Sequence, residues 1–194
     1  ICFVLQQNQD TLLSFPFNFT LLITYTLNKN SLKQKFRIIN NDTKVMPFSF
    51  GGHPAFNIHS IDDYDIQFEC EEDIKANTLE GPYIKETLID VIQGNKIPLD
   101  KNIFNQDALI FQDLKSNWVK LAHKSSTHEV KLTITDFPHL GIWSKPGAHF
   151  VCIEPWQGMA DYVSHNKDIL QKKGILTLES NDEVTKSFTM EFNS

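Results

Sequence analysis

The feature that most constrains this chain is a period of two. Short runs of Val, Ile, Leu, Phe and Thr that alternate with polar residues recur throughout: "ICFVLQ", "FNFTLLITYTL", "LKQKFRIIN", "MPFSF", "YDIQFE", "ALIFQD", "WVKLAH", "EVKLTITD", "LGIWSK", "FVCIEP", "GILTLE" and "SFTMEFN". Alternation of this kind places one face of a strand in a core and the other in water. The separators "LNKNS", "INNDT", "KSSTHE", "SKPGA" and "ESNDE" are turn chemistry, rich in residues that cap a turn or tolerate left-handed backbone. No stretch keeps a helical apolar stripe for more than about two turns. The expectation is a mainly β protein, an antiparallel sandwich or barrel. A short helix is expected near 160–173, and the acidic stretch "ECEEDIKANTLEGPYIKE" reads as a solvated loop or an edge hairpin.

At 194 residues and 41% hydrophobic content the chain suits a single domain over 1–194, long enough to bury a continuous core. It opens on "ICFVLQQ", which reads as the middle of a strand, so the chain is expected to be the C-terminal portion of a longer one, without its N-terminal strands. A net charge of -6 with scattered Lys and Arg excludes the electrostatic footprint of a nucleic-acid binder. The most apolar stretch, "LSFPFNFTLLITYTL", is broken by Pro16, Asn18, Thr20 and Thr24 and falls short of the roughly 20 apolar residues of a membrane span. Cys2, Cys70 and Cys152 are odd in number and show no C-x-x-C spacing, so neither a disulfide framework nor a zinc site is expected, and a reducing cytoplasm suits them.

Two stretches stand out. In "FSFGGHPAFNI" His53 follows two glycines and precedes Pro54, which biases the histidine toward extended backbone. An imidazole at such a strand end can donate or accept a proton near neutral pH, or it can be a histidine hydrogen-bonded in an aromatic pocket. In "VCIEPWQGMAD" Glu154 follows an apolar run and precedes Pro155. A carboxylate there is either paired or functional, its pKa raised by burial, or it sits at the wet mouth of the strand. Trp143 and Trp156 lie near strand ends and are candidate apolar walls of a binding site, with core packing as the plainer alternative. Asp107, in "FNQDALIF", is a polar residue entering an apolar strand, and a turn acid is the plainer reading. His59, His123, His128 and His165 read as surface residues; His139 and His149 are undetermined. A nucleophile elbow, a phosphate-binding loop and a dinucleotide fingerprint are all missing from the sequence. The candidates therefore reduce to an imidazole and a carboxylate that work without a cofactor.

The motifs "MPFSFGGHPAFNI" and "LGIWSKPGAHFVCIEPWQGMAD", in this order, together with "NIFNQDALIF" and the closing "KKGILTLESNDEVTKSFTMEF", resemble the aldose 1-epimerases, or galactose mutarotases, and in particular their bacterial mutarotase-like subgroup. The resemblance covers nearly the whole chain. It implies a large antiparallel β-sandwich of the galactose mutarotase-like type (a supersandwich), with a sugar cleft at the strand ends. It further implies that His53 is the general acid on the ring oxygen, Glu154 the general base on the C1 hydroxyl, and Asp107 a partner of the sugar hydroxyls. The family's arginine belongs to its front part, and Arg37 in "KFRII" is not assigned that role. The implied activity is interconversion of hexose anomers by ring opening and closure, with no cofactor and no metal. The alternatives are a hexose-6-phosphate 1-epimerase, or a sugar-binding module of the same fold without turnover. The partner is a hexose or hexose phosphate, with neither nucleic acid nor membrane, and the oligomeric state is open.

Overall fold

A computed structural model describes residues 1–193. Along the chain the strands are β1 (Cys2–Gln6), β2 (Phe19–Asn28), β3 (Ser31–Asn40), β4 (Met46–Phe48), β5 (Ala55–Asn57), β6 (Tyr64–Phe68), β7 (Ala76–Glu80), β8 (Tyr83–Ile89), β9 (Lys96–Pro98), β10 (Leu109–Phe111), β11 (Trp118–His123), β12 (Glu129–Thr133), β13 (His139–Trp143), β14 (Phe150–Trp156), β15 (Leu176–Leu178) and β16 (Glu183–Asn193). An eight-stranded sheet has the order β1-β2-β3-β16-β12-β11-β6-β9, a six-stranded sheet the order β5-β14-β13-β10-β7-β8, and β15 pairs with β4 as a separate ribbon. Neighbouring strands within the sheets pair antiparallel.

The period of two explains how the large sheets meet. Ile66, Phe68, Val119, Leu121, Leu132 and Phe188 from the first sheet and Leu109, Phe111, Leu140, Ile142, Val151 and Ile153 from the second share one buried cluster, the sandwich core. Phe68 and Phe111 meet edge to face across the two sheets, with centroids 5.9 Å apart. The ribbon of β4 and β15 closes a smaller cluster in which Met46, Phe48 and Leu178 pack on Ile38 with Phe15, Phe17 and Phe19.

The six-stranded sheet is covered on its second face as well. Ala108, Ile110 and Ile84 point away from the sandwich core and pack with Met159, Trp143, Trp156 and Tyr162. The chain leaving β14 crosses this face as a strap and docks on the edge strand β8: the Ile84 N–H donates to the Asp161 carbonyl at 2.8 Å and the Val163 N–H to the Ile84 carbonyl at 3.1 Å.

Three local expectations are settled by the backbone. The helix expected near 160–173 does not form; Asp161 and Val163 spend their backbone groups on Ile84, which leaves a single 3₁₀ turn, Ile169–Gln171, capped by the Asp168 side chain. A helix that the alternation did not announce, α1 (Gln9–Ser14), is held by a reciprocal cap in which Asn8 Oδ1 accepts from the Thr11 N–H at 2.9 Å and Thr11 Oγ1 accepts from the Asn8 N–H at 2.8 Å. The acidic stretch 69–86 forms β7, the turn and the first half of β8 in an edge hairpin that runs on to Ile89, with Ala76, Asn77 and Thr78 buried. No helix among the described residues is long and apolar enough to cross a membrane.

Candidate active site

Strand β14 decides which way Glu154 points. Val151, Ile153 and Pro155 alternate with Cys152, Glu154 and Trp156; Val151 and Ile153 face the sandwich core, so the second set faces the covered outer side of the sheet. Leu140 and Ile142 of the neighbouring β13 also face the core, which puts Gly141 and Trp143 beside Glu154 and Cys152, their register partners.

The segment 51–57 runs antiparallel to the other edge of β14. Gly51 bridges to Trp156, the Gly52 N–H donates to the Pro155 carbonyl at 2.9 Å, the Ile153 N–H donates to the Pro54 carbonyl at 3.2 Å, and Phe56 pairs with Val151. This pairing brings His53 level with Glu154, with Nε2 3.3 Å from Oε1. The glycines before His53 serve close approach: a Cβ on Gly51 would lie 2.6 Å from the Trp156 ring, and one on Gly52 2.5 Å from the Phe188 ring. Larger residues would push the segment off the sheet and take His53 with it.

The two functional groups sit in opposite environments. The His53 side chain is 64% exposed, the Glu154 side chain 6%. Burial pushes the Glu154 carboxyl above the usual carboxylate range, opposed by the charge of His53 and by hydrogen bonding from Trp156. Above them lies an open cleft of about 370 Å³ lined by Ser49, Phe50, His53, Glu154, Trp156 and Met159, within the size range of small-molecule sites. The Trp156 indole lies over Gly141, where a Cβ would come within 2.5 Å of the ring. Only glycine at 141 leaves room for that wall.

Of the residues singled out in the sequence, His53, Glu154 and Trp156 come together in this cleft. Trp143 shares the outer face of the sheet, packs against Phe150 at 5.7 Å between centroids, and does not line the cleft. Asp107 precedes β10, two strands from β14, and is exposed with left-handed backbone (φ 70°); its Oδ1 accepts from the Ala108 N–H at 2.8 Å. This geometry fits a turn acid, and among the described residues no hydrogen bond or ion pair joins Asp107 to His53 or Glu154. Arg37 forms an ion pair with Glu183, and the hydrogen bonds it donates to that carboxylate, then the carboxylate's charge, hold the Arg37 pKa up. His139 is buried under the strap beside Gly174, and burial lowers its pKa.

Sequence reasoning missed Cys152. Its sulfur lies within 4.8 Å of donor atoms of both His53 and Glu154, although cysteine spacing alone had given no reason to place a metal-ligating group there. The alternation that oriented Glu154 was the available signal, because a residue two positions earlier on the strand shares its face. Burial, with the Glu154 charge nearby, pushes the Cys152 thiol up to about 11.

Comparison with known proteins agrees with this architecture. The family model described as aldose 1-epimerase matches residues 1–177. The plasmid-encoded Protein LacX of Lactococcus lactis subsp. lactis is 27% identical over 202 residues, which covers 97% of this chain and 67% of that protein. A galactose mutarotase-like protein from Lactobacillus casei superposes with a TM-score of 0.91 at 32% identity, over 98% of this chain and 69% of that one. A galactose mutarotase related enzyme from Lactobacillus acidophilus superposes with a TM-score of 0.90 at 28% identity, over 100% of this chain and 68% of that one.

Proposed function

The chain belongs to the aldose 1-epimerase family, and from that premise we propose that it interconverts the α and β anomers of a hexose, with Glu154 as general base and His53 as general acid. The observation that carries the proposal is the contact between a buried carboxyl of raised pKa and an exposed imidazole 3.3 Å away in an open cleft.

Mutarotation needs one proton removed from the C1 hydroxyl and one delivered to the ring oxygen. Both oxygens are bonded to the same carbon, so a donor and an acceptor side by side can serve them, and the spacing of His53 and Glu154 suits that task. Glu154 takes the proton from O1, His53 gives one to the ring oxygen, and the C1–ring oxygen bond opens to the aldehyde. Rotation about C1–C2 presents the opposite carbonyl face. Closure then returns one proton from the ring hydroxyl to His53 and one from Glu154 to O1, which regenerates both groups. The raised pKa brings Glu154 closer to the working pH, where a general base is most effective. Trp156, held against Gly141, supplies an apolar wall for the C–H face of the sugar. Of the two residues outside the cleft, Trp143 is proposed as an apolar wall at its outer margin and Asp107 as a partner of the sugar's remaining hydroxyls.

Among the described residues that line the cleft there is neither lysine nor arginine. A phosphate favours cationic partners, so the lining supports a free hexose over a hexose 6-phosphate. The test is α/β exchange by magnetisation-transfer NMR with galactose, glucose and glucose 6-phosphate. We expect exchange above buffer, fastest with a free sugar, and losses of roughly 10²- to 10⁴-fold in His53→Ala and in Glu154→Gln. Losses below about threefold at both positions would reject the assignment. Sugar binding without turnover in the unmutated protein would instead favour a binding module.

A further inference from the structure

We propose that His53, Cys152 and Glu154 also form a binding site for a soft divalent cation such as zinc or cadmium, whose occupation shuts the catalytic pair down. The three residues offer a ring nitrogen, a sulfur and a carboxylate oxygen, all within 4.8 Å of one another. These are the donor types that zinc takes, and three protein donors with the fourth position open to a cleft is the usual form of an accessible zinc site. The juxtaposition follows from the backbone: Cys152 and Glu154 share one face of β14, and the paired segment 51–57 delivers His53 to them.

Metal–donor bonds of about 2.0–2.3 Å in a tetrahedron set the donor atoms roughly 3.5 Å apart. His53 Nε2 and Glu154 Oε1 already stand at 3.3 Å. The sulfur, within 4.8 Å of the other two donor atoms, must therefore close on them by up to about 1.3 Å. The exposed His53 ring has room to supply that movement, while Cys152 is fixed in the sheet.

Binding requires Cys152 to release its proton to solvent, His53 to be neutral and Glu154 to be ionised. A sulfur donor among the three suits an ion that bonds thiolate strongly. This selects zinc and cadmium over magnesium and calcium, which prefer oxygen donors. The consequence for turnover rests on the mutarotase reading, because a bound ion takes the lone pairs with which His53 and Glu154 would move protons. The binding itself does not.

The experiment uses the 194-residue chain with Cys2→Ser and Cys70→Ser, since both of those cysteines are exposed and would capture metal on their own. Cadmium chloride is titrated while the thiolate-to-cadmium charge-transfer absorption is followed, and zinc chloride is titrated in competition with a chromophoric chelator. We expect one ion per chain and an absorption band that Cys152→Ser abolishes. His53→Ala, a change at an exposed position, should weaken zinc by at least about tenfold. In a protein that catalyses anomer exchange, zinc should inhibit it and Cys152→Ser should relieve that inhibition. An absent band, or zinc affinity unchanged by both Cys152→Ser and His53→Ala, overturns the proposal. A cadmium band in a chain without exchange activity would uphold the metal site and count against the mutarotase reading.

Discussion

Glu154 is the residue where stability and chemistry pull apart. Its folded-state pKa is raised, so the folded chain holds that proton more tightly than the unfolded chain does. The stability this confers is complete below the unfolded carboxyl pKa of about 4.3 and is lost as the pH rises through the raised folded value. At neutral pH the raised pKa is therefore a burden on the fold. Glu154→Gln, neutral at every pH, should melt higher than the parent at pH 7 and lose that advantage below about pH 4; each kcal/mol corresponds to about 2–4 °C in a chain of this size. A variant that melts lower at pH 7 would show that its partners outweigh its burial. The site was legible here to the extent that flanking residues announce it: Gly51, Gly52 and Pro54 around His53, and an apolar run ending at Pro155 around Glu154. The meeting of the two side chains was not legible, because it depends on a strand pairing across about a hundred residues of sequence.

At the scale of elements, β13 and β14 form a two-layer device, in which a glycine on one strand makes room for an indole on the next. Gly141→Ala places a methyl group 2.5 Å from the Trp156 ring and forces the wall of the cleft to move. Overpacking of this kind costs about 1–3 kcal/mol. The variant should keep its circular dichroism, melt lower and lose about tenfold or more in kcat/KM, since small displacements of a binding wall carry large rate penalties. Unaltered kinetics would remove Trp156 from the site. Most strands were readable from alternation, including β11, which matches "WVKLAH" residue for residue. β5 and β9, of three residues each, are too short to show a period. The short helix was expected in the wrong place: α1 is fixed by its reciprocal cap and not by an apolar stripe, whereas of 160–173 only Ala160 and Tyr162 pack against the sheet and Val163, Ile169 and Leu170 stay exposed.

For the molecule as a whole, the two large sheets are joined by side chains that alternate correctly on both, and Phe68 against Phe111 is a junction between them. Phe111→Ala should cost about 3–5 kcal/mol in chemical denaturation, and a double-mutant cycle with Phe68→Ala should return about 0.5–1.5 kcal/mol of coupling. Additive losses would place the cohesion of the sheets elsewhere. Fold class was legible because composition and period restrict it, but strand order was not. Nothing local indicates that β16, at the end of the chain, inserts between β3 and β12. The distribution of the three tryptophans has one last consequence. Trp118 stands on the eight-stranded sheet with Lys120 and Lys131 over its ring, while Trp143 and Trp156 share the outer face of the other sheet and Trp156 lines the same cleft as Glu154. An indole's emission follows the charge and polarity beside it, so the unlabelled protein carries its own optical gauge of whether Glu154 is charged and whether the cleft is full.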